Sequence, residues 1–141
     1  AMEVQPPAQP LNSHQSSSPA ARRAFSDAAE RLLAPAQRVS LLADFLALRW
    51  QQQSALAALR EQCAIPCASL LMGKGVLDEQ QPGYVGTYAG EASAGQVCEQ
   101  IEQVDVAICV GVRFTEHIAA GFTPQVKLCR LYTSDAPDAD E

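Results

Sequence analysis

Basic residues are scarce in this 141-residue sequence: ten Lys and Arg stand against sixteen Asp and Glu, for a formal net charge of −6. That shortage excludes a surface that tracks nucleic-acid phosphates, which needs clustered Lys and Arg. The acidity is also local. Asp135, Asp138, Asp140 and Glu141 carry four negative charges with no base among them, leaving about −2 for the rest. Long apolar runs are missing too, and nothing approaches the roughly 20 residues that a membrane helix requires. Nor is there a basic start leading into an apolar core, the pattern of a secretory signal.

Histidine is limited to His14 and His117. Cys63 and Cys67 stand four apart, but no second Cys/His pair completes the four soft ligands of a closed zinc site. The five cysteines (Cys63, Cys67, Cys98, Cys109 and Cys129) are odd in number. Without a secretion signal they read as reduced thiols of a cytoplasmic protein. Cys98 and Cys109 fit as small buried hydrophobes.

Catalytic signatures are equally thin. Gly73-Lys74-Gly75 lacks the upstream glycine and following hydroxyl of a phosphate loop, since Ala68 and Gly75 occupy those places. The dinucleotide fingerprint G-x-G-x-x-G does not follow the first strand, and no G-x-S-x-G elbow occurs. Glu99 and Glu102 lie three apart on a helix and are expected on its solvent face, not around a scissile bond. Catalysis within this segment is not expected.

What is present is an alternation of strands and helices. Residues 1–20 hold four prolines and a Ser16-Ser17-Ser18 run and read as a disordered linker. A helix follows, with Phe25, Ala28, Ala29, Leu32 and Leu33 at helical spacing, opened by Ser18-Pro19 and stopped by Pro35. Arg38–Ala43 reads as a buried strand. Trp50–Cys63 reads as a helix with Leu56, Leu59 and Cys63 on one face, ended before Ile65-Pro66. Cys67–Leu71 is a second strand, and a glycine-punctuated loop runs on to Gly90. Ser93 and Gln96 suit a capping box opening a helix whose buried face is Val97, Ile101 and Val104. Val106–Val110 is a third strand, ended by Gly111.

Strands apolar on both faces and separated by helices indicate parallel pairing through right-handed crossovers. The expected fold is therefore α/β: an incomplete, Rossmann-like three-layer parallel sheet of about three strands with two crossover helices. In open α/β sheets ligands collect outside the carboxyl ends of the strands. Gly111 and Arg113, with Lys74, are thus the candidates to face a bound anion. The alternative is that the two basic side chains are solvated or pair with acids such as Glu116 or Asp78.

Three segments then match a known pattern in order and spacing: LLADFLALRW (Leu41–Trp50), LLMGKGVLDEQQPGYVGTYAGEAS (Leu70–Ser93) and VAICVGVRFTEHIAAGFT (Val106–Thr123). Together they resemble the central domain of thiamine-diphosphate-dependent 2-oxo acid decarboxylases, most closely the indolepyruvate and phenylpyruvate branch. Glu116 and His117 depart from that branch, which more often carries Asp and Thr there. The resemblance implies a three-domain parent enzyme, a homo-oligomer built as a dimer of dimers. Its first and third domains bind thiamine diphosphate and Mg²⁺, and its middle domain is a structural spacer between these sister domains. The Gly-Asp-Gly of the diphosphate motif is absent here. Acetolactate-synthase- and oxidase-type relatives bind FAD or ADP on the middle domain, which would place such a ligand near Gly111 and Arg113.

The resemblance makes residues 21–123 a partial central domain. Cys129–Glu141 resembles translated read-through of a sequencing adapter, so residues 124–141 are expected to be a disordered, non-native tail.

Overall fold

The computed structural model describes residues 17–117 and Gly121. The expected linker, up to residue 16, and the expected tail lie outside these residues.

Helix α1 (Pro19–Leu33) begins where the sequence offers a cap: the Ser18 hydroxyl accepts the Ala21 N–H at 3.1 Å, and Pro19 occupies the first helical position. The helix thus takes in residues 19 and 20, which the linker reading had claimed. No residue of α1 is fully buried, and Leu33 packs against the body of the protein.

Strand β1 (Val39–Ala43) sits at the centre, with both faces covered. Leu41 and Ala43 pack on one side with Leu56, Cys67 and Ile108, whereas Leu42 packs on the other with Tyr88, Val97 and Ile101. Burying each large aliphatic side chain stabilises the fold by roughly 1.5–3 kcal/mol, so β1 is the anchor of both layers. Asp105 ties its entrance to the neighbouring strand, accepting the N–H groups of Gln37 and Arg38 at 2.9 and 2.8 Å.

The chain next forms a short helix, α2 (Phe45–Arg49), and then α3 (Gln53–Cys63). The expectation of one helix from Trp50 is corrected here. Gln51 has φ 56°, a left-handed turn that separates the two helices. Leu56 is buried and Leu59 partly so, but Cys63 is exposed, because it is the last helical residue before the chain turns through left-handed Ala64 (φ 49°).

Strand β2 (Cys67–Ser69) is shorter than expected, since Leu71–Gly73 curls into a 3₁₀ turn closed by the Gly73 N–H on the Leu70 carbonyl. The glycine-rich stretch then contains a strand the sequence did not disclose, β3 (Tyr84–Thr87). Gly86 lies inside it at φ 131°, and a Cβ there would come within 2.9 Å of Val97 Cγ2. The glycine marks close approach to a helix, not a break in the strand.

Helix α4 (Gly95–Glu102) starts at Ala94 without a side-chain cap. The expected capping box does not form. Ser93 Oγ instead accepts the Ala89 N–H and donates to the Gly90 carbonyl, both at 2.7 Å, closing the preceding loop. Val97, Ile101 and Val104 are buried as expected. Strand β4 (Val106–Val110) completes the described sheet.

All strand pairs are parallel, in the order β3-β2-β1-β4, with Leu41 opposite Cys67 and Val39 opposite Val106. The α/β class holds, and the strand number rises from three to four. Helices α3 and α4 provide two crossovers, while β2 reaches β3 through the 3₁₀ turn and a loop. Leu56 of α3 and Val97 of α4 enter different core clusters, so the helices cover opposite faces.

Candidate functional site

The strand order reverses at β1. From it the chain moves to β2 and β3 on one side and returns to β4 on the other. The carboxyl ends of β1 and β4 therefore define a topological switch point, the place where open α/β sheets receive ligands. Asp44 follows β1 there, and Gly111, Val112 and Arg113 follow β4.

Gly111 has φ 63°, and a Cβ on it would fall on the Ala47 nitrogen and within 2.9 Å of the Leu46 carbonyl carbon. Its missing side chain makes room for α2. On the other flank, a Cβ on Gly73 would lie 2.7 Å from Asp44 Cα and 3.0 Å from Asp44 Oδ1. Both glycines at the switch point accommodate the chain's own backbone.

Between them lies Asp44, fully buried, with neither carboxylate oxygen hydrogen-bonded. It holds the N-cap position of α2, yet its side chain caps nothing. Burial pushes its pKa above the usual carboxylate range. The backbone N–H groups of Phe45 and Arg113 pull the other way without completing a hydrogen bond. In the sequence this residue stands only as part of the Leu41–Trp50 motif, just past the first strand. The available signal was a lone acid closing an otherwise apolar run.

Arg113 is exposed beside the switch point. Lys74 leaves the 3₁₀ turn on the β2 side, largely in solvent, and pairs with Glu79 at 3.0 Å rather than with Asp78. Glu116 and His117 are exposed. Glu99 faces solvent as expected, but Glu102 is half-buried and accepts the Tyr88 hydroxyl at 2.6 Å. Cys109 is buried, whereas Cys98 is only partly so.

Away from the switch point, an open groove of about 970 Å³ runs between α3 and the Lys74–Gly83 loop. Arg60 spans it, donating to the carbonyls of Asp78 (3.3 Å) and Pro82 (2.8 Å), so its guanidinium is already engaged in holding the loop.

These residues do not suit an anionic nucleotide at the switch point. A bound pyrophosphate needs open glycine backbone at a helix start. Here Gly73 and Gly111 abut Asp44 and α2, and an unpartnered carboxyl stands beside them. Among the described residues no three His, Cys, Asp or Glu side chains gather at ligand spacing.

Residues 26–134 match the family model described as thiamine pyrophosphate enzyme, central domain, a match that runs past Thr123. The chain is 39% identical over 128 residues to an alpha-keto-acid decarboxylase of Mycobacterium leprae (strain TN), covering 90% of this chain and 22% of the relative. The same identity and span relate it to the alpha-keto-acid decarboxylase of Mycobacterium tuberculosis (strain ATCC 25618 / H37Rv), of which it covers 23%. To the alpha-keto-acid decarboxylase of Mycobacterium avium (strain 104) it is 38% identical over 113 residues, covering 80% of this chain and 20% of that one. The chain therefore spans about a fifth of the length of these relatives. With a doubly wound parallel sheet and a family match over most of its length, the chain belongs to the thiamine pyrophosphate enzyme central-domain family.

Proposed function

We propose that this chain serves as the structural, non-catalytic central domain of a thiamine-diphosphate- and Mg²⁺-dependent 2-oxo acid decarboxylase of the indolepyruvate or phenylpyruvate type. In such an enzyme the cofactor would supply the electron sink that takes up the electron pair of the C–C bond broken as CO₂ leaves. The sister domains hold that cofactor, and this sheet sets their separation. The parent is a cytoplasmic homo-oligomer, a dimer of dimers. None of the described helices is long and apolar enough to cross a membrane.

The observation that carries the spacer role is the self-filled switch point. The two glycines that flank the strand ends are packed against Asp44 and α2, leaving the usual ligand position occupied by protein. The same observation disfavours FAD or ADP there.

Grafting supplies the test. Replacing the matched segment of the M. leprae relative with this chain's residues should preserve its decarboxylase activity, assayed as aldehyde formation from indolepyruvate and phenylpyruvate. The 141-residue chain alone, with thiamine diphosphate and Mg²⁺, should release no CO₂. Turnover by the chain alone would refute the spacer role, as would a flavin fluorescence quench at high micromolar concentration.

A further inference from the structure

We propose that Asp44 is a proton-operated latch: its neutral carboxyl holds α2 and the Leu71–Gly73 turn shut over the strand ends, and its ionised form lets them loosen and admit water. This goes beyond the spacer role and does not depend on it, since it uses only groups within this chain.

The geometry is that of a wedge. Asp44 is the residue at which β1 ends and α2 begins, so its backbone is the hinge between the rigid central strand and a five-residue helix. Its side chain has no exposed surface and no hydrogen-bond partner. The turn is seated directly on it through Gly73, and α2 is seated on β4's exit through Gly111. Both contacts are backbone against backbone, where small outward movements break the fit. A helix of five residues has little stability of its own and stays in place through such packing.

A charge at this position is costly because only the backbone N–H groups of Phe45 and Arg113 face it, neither completing a hydrogen bond, and no side chain answers it. From α2 the nearest formal charge is Arg49, which is exposed and stacked over the Phe45 ring at 5.2 Å. From the turn it is Lys74, exposed and engaged with Glu79. From β4's exit it is Arg113, whose side chain is exposed while its backbone N–H faces the carboxyl. Ser69 of β2 is bonded to Tyr84 of β3 at 2.8 Å. Among the described residues, none of these side chains hydrogen-bonds the carboxyl. An ionised Asp44 gains most by meeting water, and the movable elements that keep water out are α2 and the turn.

The direction of the pH effect follows from burial, which raises the folded-state pKa above the ordinary 3.8. Below that value the group is protonated in both folded and unfolded chains. As pH rises from there through the folded-state pKa, the unfolded chain gives up its proton first, and stability is lost. Each unit between the two pKa values costs tenfold in the folding equilibrium constant.

The test compares wild type with Asp44→Asn, which keeps the shape and removes the charge. Thermal melts of the 141-residue chain between pH 4 and 8 should show Asp44→Asn gaining on wild type as pH rises. Amide exchange at Ala47 and Trp50 should accelerate in wild type beyond the intrinsic pH dependence, and not in the variant. Equal pH slopes for the two proteins overturn the latch, as does a wild type that gains on the variant. Should Asp44→Asn not fold, Asp44→Ala and exchange in wild type alone make the same comparison. Exchange at those two amides that follows only the intrinsic rate then sinks the idea.

Discussion

Tyr88, which has no exposed surface, donates its hydroxyl to Glu102 Oε1 at 2.6 Å and so ties the loop after β3 to the last turn of α4. Tyr88→Phe removes the donor and leaves a half-buried carboxylate short of one bond, which should cost about 1–2 kcal/mol in a denaturant melt. Burial, reinforced by the Glu102 contact, also raises the Tyr88 pKa above its ordinary value of 10.0. Above that pH the unfolded chain loses a proton that the folded chain keeps, so stability falls as pH rises. Melting curves taken at and above pH 10 should show an extra alkaline loss in wild type that Tyr88→Phe lacks.

Gly111→Ala and Gly75→Ala place the same methyl group on two left-handed glycines with opposite surroundings. Gly75, at φ 82°, has nothing within 4 Å of the added Cβ, so only backbone strain of about 1 kcal/mol applies. Gly111 adds collision with the α2 backbone, for a total of about 3 kcal/mol or more. Calorimetry should separate the two variants by several degrees. Equal losses would mean that α2 is not seated as described.

Ala64 ends α3 in the left-handed region at φ 49°, a conformation glycine adopts without strain. Ala64→Gly should therefore stabilise the fold by about 0.5–1 kcal/mol, against the usual direction of alanine-to-glycine changes. The midpoint of chemical unfolding reads this directly.

Thiol labelling should be graded by burial. Cys63 is exposed, while Cys67 and Cys109 are buried, and burial pushes the Cys67 thiol's pKa up. Mass spectrometry after brief alkylation should find Cys63 modified first among Cys63, Cys67, Cys98 and Cys109. Cys67 and Cys109 should react only once the sheet opens.

The three apolar strands were legible because buried parallel strands are hydrophobic on both faces, a pattern carried by Val39–Ala43, Cys67–Ser69 and Val106–Val110. Strand β3 was not legible. Gly86 interrupts its apolar pattern, and only the approach of Val97 explains why a glycine belongs there. Phe45–Arg49 was missed because five residues carry no helical period of their own. Glu102 read as a solvent-facing acid because its partner Tyr88 lies 14 residues away. Gly111 and Arg113 were placed correctly at a strand end, but spacing alone could not reveal that α2 fills the space beside them. The unpaired state of Asp44 is a property of three dimensions and has no signature in one.

Because α1 has no fully buried residue, its 15 residues borrow little support from the sheet, and helices of that length are marginal in water. It should fray while the strands still hold, and proteolysis near Arg22 and Arg23 should clip it without unfolding the remainder. The cooperative unit then starts beyond Pro35, and a shortened chain lacking α1 should retain its α/β circular-dichroism spectrum with only the added helical signal gone.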